Sequence, residues 1–118
     1  MRDYKKLQVW NKSHELNLFV YKYLLPKLPK NEQFDLTSQT KRAAYSIPLN
    51  IVEGSGRNTE KDFAHFLDIA LGSVHELEYC CLLCKDLSYI EIELYSLVNQ
   101  QLNEVKAMLI GLIKILRK

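Results

Sequence analysis

The sequence predicts an all-α protein: an antiparallel up-down-up-down four-helix bundle occupying residues 1–118 as a single domain. Three observations carry that expectation. Apolar residues recur in alternating steps of three and four along four stretches, each roughly 20–25 residues long. Four glycines and three prolines leave too little punctuation for a many-stranded sheet. The connections between the stretches are short, which favours consecutive helices lying side by side and running in opposite directions.

The first helix is expected from about Lys6 to Leu25, with Leu7, Trp10, Tyr21 and Leu24 near one face and Val9, Leu16, Val20 and Tyr23 beside it. His14 and Asn17 interrupt that face and read as polar residues of the core or rim. Pro26 and Pro29 close the helix, because proline lacks an N–H and holds its predecessor extended. The second helix spans Glu32 to Glu53 and stops at Gly54-Ser55-Gly56. Pro48 lies inside it and predicts a kink, since no N–H reaches back to the Ala44 carbonyl. Ser46 and Asn50 stand close enough in sequence to help satisfy the freed backbone.

Asn58 or Thr59 caps the third helix, and Glu60 and Asp62 suit the positive end of its dipole. Its main seam is Phe63, Leu67, Ala70, Val74, Leu77, Cys81 and Cys84. A second seam lies alongside: Phe66, Ile69, Ser73, Glu76, Cys80, Leu83 and Leu87. A helix with two seams needs two sets of partners. The fourth helix, Ile92 to Leu116, has one long seam of Tyr95, Val98, Leu102, Val105, Leu109, Leu112 and Leu116.

Composition narrows the function classes. With 47% apolar and 25% charged residues, the chain reads as an ordinary globular domain. No apolar run is long enough for a membrane span, and the N-terminus lacks the apolar core of a signal peptide. Cys80, Cys81 and Cys84 are odd in number and crowded, which points to reduced thiols and a cytoplasmic location. With His75 they offer only a partial metal-ligand set, so they read as small buried hydrophobes, and no metal or cofactor is expected. No activated nucleophile or phosphate cradle accompanies the carboxylates Glu53 and Glu76, so the chain does not read as an enzyme.

Polar residues at seam spacing are the unusual feature. Gln39, Arg42, Ser46 and Glu53 share a face of helix two, with Asn50 beside them, and Ser73 and Glu76 share a seam of helix three. In a hairpin of these helices Gln39 faces Glu76, and Arg42 lies within about one turn of it. A semi-buried network is expected, with Arg42 forking onto Glu76 or Glu53 and fixing register or oligomer state.

Charge is uneven along the chain. Residues 1–59 hold ten Lys/Arg against five Asp/Glu, and residues 60–118 hold six against nine. The nucleic-acid-binding candidates are Lys5, Lys6, Lys12, Lys41, Arg57 and Lys61, with Arg2 at the start of the chain. No helix-turn-helix, zinc finger or RNA-binding aromatic motif accompanies them. A net charge of +2 is weak for one copy and multiplies in an oligomer.

The run Arg42-Ala-Ala-Tyr-Ser-Ile-Pro-Leu-Asn50-Ile, followed by Glu53-Gly54-Ser-Gly56-Arg57, resembles the intervening-sequence proteins associated with insertions in bacterial 23S ribosomal RNA genes. Leu7-Gln-Val9-Trp10, Leu36-Thr-Ser-Gln39, Gly72-Ser73 and Glu76-Leu77-Glu78 extend the resemblance over nearly the whole chain, while Asp35 departs from a glycine common in the family. The resemblance implies a left-handed four-helix bundle that assembles as a homopentamer. It also implies kinship with the accessory protein of diversity-generating retroelements, which binds nucleic acid and a reverse transcriptase. The expected function is therefore a non-catalytic homopentamer acting on structured RNA or DNA, with a nucleic-acid-processing protein as a further candidate partner. The alternative is a protein-binding scaffold with no nucleic-acid role.

Overall fold

The computed structural model describes residues 2–118 as four main helices and no strand among them. A 3₁₀ turn at Tyr4–Lys6 leads into α1 (Gln8–Phe19), followed by α2 (Leu36–Ser55), α3 (Glu60–Asp86) and α4 (Ile92–Leu116). At 1.5 Å per residue, the 27 residues of α3 account for most of the 43 Å long axis. The chain is an all-α four-helix bundle.

Contacts between consecutive helices run in opposite order along the two partners. On α2 and α3, Gln39 meets Glu76, Ser46 meets Ser73, and Gly54 lies against Phe63 and Phe66. On α3 and α4, Glu78 meets Lys106 and Asp68 meets Arg117. One cluster of buried side chains fills the centre. It includes the whole main seam of α3 together with Val98, Leu102, Val105 and Leu109 of α4.

Helix α1 departs from the expected plain helix. After Phe19 the chain widens into a π turn at Val20–Leu24, where Leu25 N–H donates to the Val20 carbonyl, and then tightens to 3₁₀ at Leu25–Lys27. The extra residue per turn keeps Val20 and Leu24 on the core side while Tyr21 and Tyr23 turn outward. Helix α2 starts at Leu36, four residues later than the spacing predicts. The preceding Lys30–Glu32 is a separate 3₁₀ turn. The Glu32 carboxylate accepts from Leu36 N–H (3.4 Å) and from the Tyr89 hydroxyl (2.8 Å), fixing the helix start against the α3–α4 turn.

Pro48 sits within α2, which continues through it from Leu36 to Ser55. The Ala44 carbonyl, deprived of its intrahelical donor, accepts instead from Asn17 Nδ2 of α1 at 2.6 Å. The expectation that Ser46 and Asn50 would help is thus corrected. Asn50 Nδ2 donates instead to the Ser46 carbonyl and hydroxyl, two residues past the open carbonyl.

Candidate functional site

The polar seam forms between α2 and α3, but Arg42 is not its centre. Gln39 Nε2 donates to Glu76 Oε1 (2.8 Å), the Ser46 and Ser73 hydroxyls share a hydrogen bond of 2.8 Å, and Asn50 Nδ2 reaches Ser46 Oγ at 3.0 Å. Glu53 accepts from Arg57 Nη2 at 3.2 Å, within its own chain segment. Arg42, Glu53 and Glu76 are all exposed, and Arg42 forms no ion pair among the described residues. The expected fork of Arg42 onto Glu76 or Glu53 is therefore absent from the single chain. Ser46, one turn beyond Arg42 on α2, stands opposite Ser73 and takes the next polar contact along the seam.

Close packing builds the α2–α3 turn. A Cβ at Gly54 would lie 2.8 Å from Phe66 Cβ and 2.9 Å from Phe63 Cδ1, so only glycine lets α3 approach this near. Gly54 was expected as a stop signal; it lies inside the last turn of α2, and close approach is the reason for it. The two phenylalanine rings carry guanidinium groups, with Arg2 Cζ 4.5 Å from the Phe63 centroid and Arg57 Cζ 4.7 Å from that of Phe66. Arg2 N–H also donates to the Ser55 carbonyl (3.0 Å), tying the N-terminal segment to this turn. Thr59 Oγ1 accepts from Asp62 N–H (3.1 Å) and caps α3.

The bundle gathers cations at this end. Arg2, Lys5, Lys6, Arg57, Lys61, Lys114, Arg117 and Lys118 come together there from four separate segments, half of the 16 Lys and Arg in the chain. Five carboxylates accompany them: Asp3, Glu53, Glu60, Asp62 and Asp68, the last paired with Arg117. The opposite end has Lys22, Lys27, Lys30 and Lys85 against Glu32, Asp35, Asp86, Glu91 and Glu93.

Four of the six sequence candidates, Lys5, Lys6, Arg57 and Lys61, thus lie at one end. The other two do not join them. Lys12 sits midway along α1 between Glu15 (3.9 Å) and Glu104 (3.8 Å), and Lys41 Nζ lies 5.8 Å from the Tyr21 ring. Lys114, Arg117 and Lys118 were missed. The signal was present in the sequence, since an up-down bundle returns the C-terminal turn of its last helix to the end where the first begins.

Cys80, Cys81 and Cys84 are buried and unpaired. Burial pushes all three thiols up, Cys84 to about 11, so they remain neutral at physiological pH. Among the described residues no group of three or more His, Cys, Asp or Glu side chains is arranged to hold a metal ion, and no helix is long and apolar enough to cross a membrane.

The model of the 23S rRNA-intervening sequence protein family matches residues 5–111. The chain belongs to that family. A crystal structure from Bacteroides thetaiotaomicron, described as a protein of unknown function from the S23 ribosomal protein family, is 34% identical. The match covers 90% of this chain and 98% of that one, with a TM-score of 0.82. No functionally curated protein matches the chain.

Proposed function

We propose that this family member works as a homo-oligomer, pentameric as the sequence resemblance implies, whose cation-rich end binds the phosphate backbone of structured RNA or DNA. The observation that carries this reading is the gathering of eight cations against five carboxylates at one end of the bundle. Cyclic symmetry leaves that end on the same side in every copy whose long axis is not in the plane of the ring, so five modest patches become one multivalent surface. The role is non-catalytic and accessory, with a nucleic-acid-processing protein as a further partner. Buried neutral thiols support a cytoplasmic setting.

The test is fluorescence anisotropy of labelled hairpin RNA and duplex DNA at several salt concentrations. Binding is expected to weaken steeply with salt, and the steepness to fall when Lys5 and Lys61 are replaced by alanine. Absence of binding at low salt overturns the nucleic-acid reading.

A second reading, a protein-binding scaffold, draws on a different observation. Lys12, Arg57, Lys106 and Arg117 are already paired with carboxylates, while Leu18, Leu49, Tyr79 and Ile69 stand exposed. Failure of nucleic acid to bind an assembled oligomer favours this reading.

A further inference from the structure

We infer that the α2–α3 turn is a platform on which unpaired bases stack, with Arg57 and His65 as the receiving groups and neighbouring lysines holding the phosphates. This rests on the nucleic-acid reading above and names the part of a structured RNA or DNA that this end selects: its loops and free ends.

The platform begins at Gly54. Without a Cβ there, α3 comes close enough to set Phe63 and Phe66 against the last turn of α2. Phe63 is buried and Phe66 half-buried, and each ring has a guanidinium over it, Arg2 on the first and Arg57 on the second. The His65 ring leans on Phe66 as well, with centroids 5.7 Å apart and planes at 73°. Arg57 and His65 thus share one aromatic support, and both are exposed.

Arg57 is poorly suited to be a plain phosphate contact. Glu53 already takes one of its terminal nitrogens at 3.2 Å, and that carboxylate repels a second anion. With its charge offset and one side set over Phe66, the guanidinium still offers the side away from the ring, and its side chain is 46% exposed. A planar, weakly hydrated cation stacks on a nucleobase, and so does an imidazole ring. Bases inside a continuous duplex have no free face, whereas those of a loop, bulge or end do.

Phosphate contacts lie close at hand. Lys61 is exposed at the start of α3, four residues after Arg57, and Lys5 and Lys6 are exposed at the same end of the bundle. Stacking groups set among cations are the combination by which single strands are held.

Anisotropy titrations of three labelled RNAs with equal numbers of phosphates test the inference: a blunt duplex, a hairpin with a long unpaired loop, and the same hairpin with an abasic loop. The intact hairpin should bind about tenfold tighter than the other two, which should bind alike. Arg57→Lys keeps the charge and removes the planar face, so it should bring the hairpin close to the duplex and leave the salt dependence unchanged. His65→Ala should weaken the hairpin several-fold and leave the duplex as it was. Equal binding of all three RNAs overturns this inference and leaves the phosphate reading standing. A hairpin preference that survives both substitutions also overturns it, because the bases then rest on another surface. Failure of all three RNAs to bind at low salt overturns the phosphate reading together with this one.

Discussion

Asn17 shows how much one side chain can settle. It is buried on α1, and its amide nitrogen donates both to the Ser13 carbonyl (3.0 Å) and to the Ala44 carbonyl that Pro48 leaves open. Both neighbours are acceptors, which fixes the amide orientation, and Oδ1 is left without a protein partner. Asn17→Ala should cost about 1–3 kcal/mol, because it strands a buried carbonyl. In a Pro48→Ala background the same substitution should cost less, since residue 48 then has an N–H to offer Ala44. Urea denaturation of the four proteins measures the coupling.

The thiols make a second residue-scale prediction. Their folded pKa values lie above the unfolded one, so their contribution to stability is complete below the ordinary thiol range and is lost as pH rises. For Cys84 the loss should run from that range to about pH 11. Chemical denaturation from pH 7 to 10.5 should show the decline, and a Cys84→Ala variant should show less of it. Native protein at pH 7.5 should resist iodoacetamide until it is unfolded.

Among the elements, the α3–α4 turn has a correctable strain. Ser88 has φ 65°, the only positive φ among the described residues, and closes a Schellman motif in which Tyr89 N–H donates to the Cys84 carbonyl and Ser88 N–H to that of Lys85. Ser88→Gly should stabilise the protein by several tenths to about 1 kcal/mol, the relief of left-handed strain outweighing the added backbone entropy. Gly54→Ala should do the reverse, by about 1–3 kcal/mol, because its Cβ would collide with Phe63 and Phe66. Thermal melts of both variants check the opposite signs.

The elements also show what the sequence could convey. The bounds of α4 match the expected Ile92–Leu116, because one unbroken seam with no internal proline admits a single register. The main seam of α3 is likewise buried as its spacing required. The π turn in α1 was illegible, since the apolar pattern of residues 20–24 fits an ordinary helix as well as a widened one. The polar seam was legible as a face but not as a set of pairs. Helical counting located Gln39 opposite Glu76, yet the reach of a long guanidinium could not show that Arg42 leaves Glu76 to Gln39 and that the next pair is Ser46 with Ser73.

At the scale of the whole molecule, charge divides between the ends of the bundle and not between the sequence halves, since four of the eight cations at the rich end come from residues 1–59 and four from residues 60–118. The candidate cations were legible only where the chain order matched the spatial order, so the C-terminal group escaped notice. Replacing Lys114 and Lys118 with alanine should therefore weaken nucleic-acid binding about as much as replacing Lys5 and Lys61. Replacing Lys12 and Lys41 should leave it within about twofold. Anisotropy titrations at one fixed salt concentration compare the three double variants directly.

The bond from Asn17 to the Ala44 carbonyl also has an evolutionary consequence. A lineage that keeps proline at position 48 inherits an open carbonyl and must keep a donor at position 17, while a lineage that loses the proline is released to fill that site with leucine. The two positions lie on different helices and are 31 residues apart in sequence. They should nonetheless change together across relatives of this chain, leaving in an alignment the trace of a single missing hydrogen.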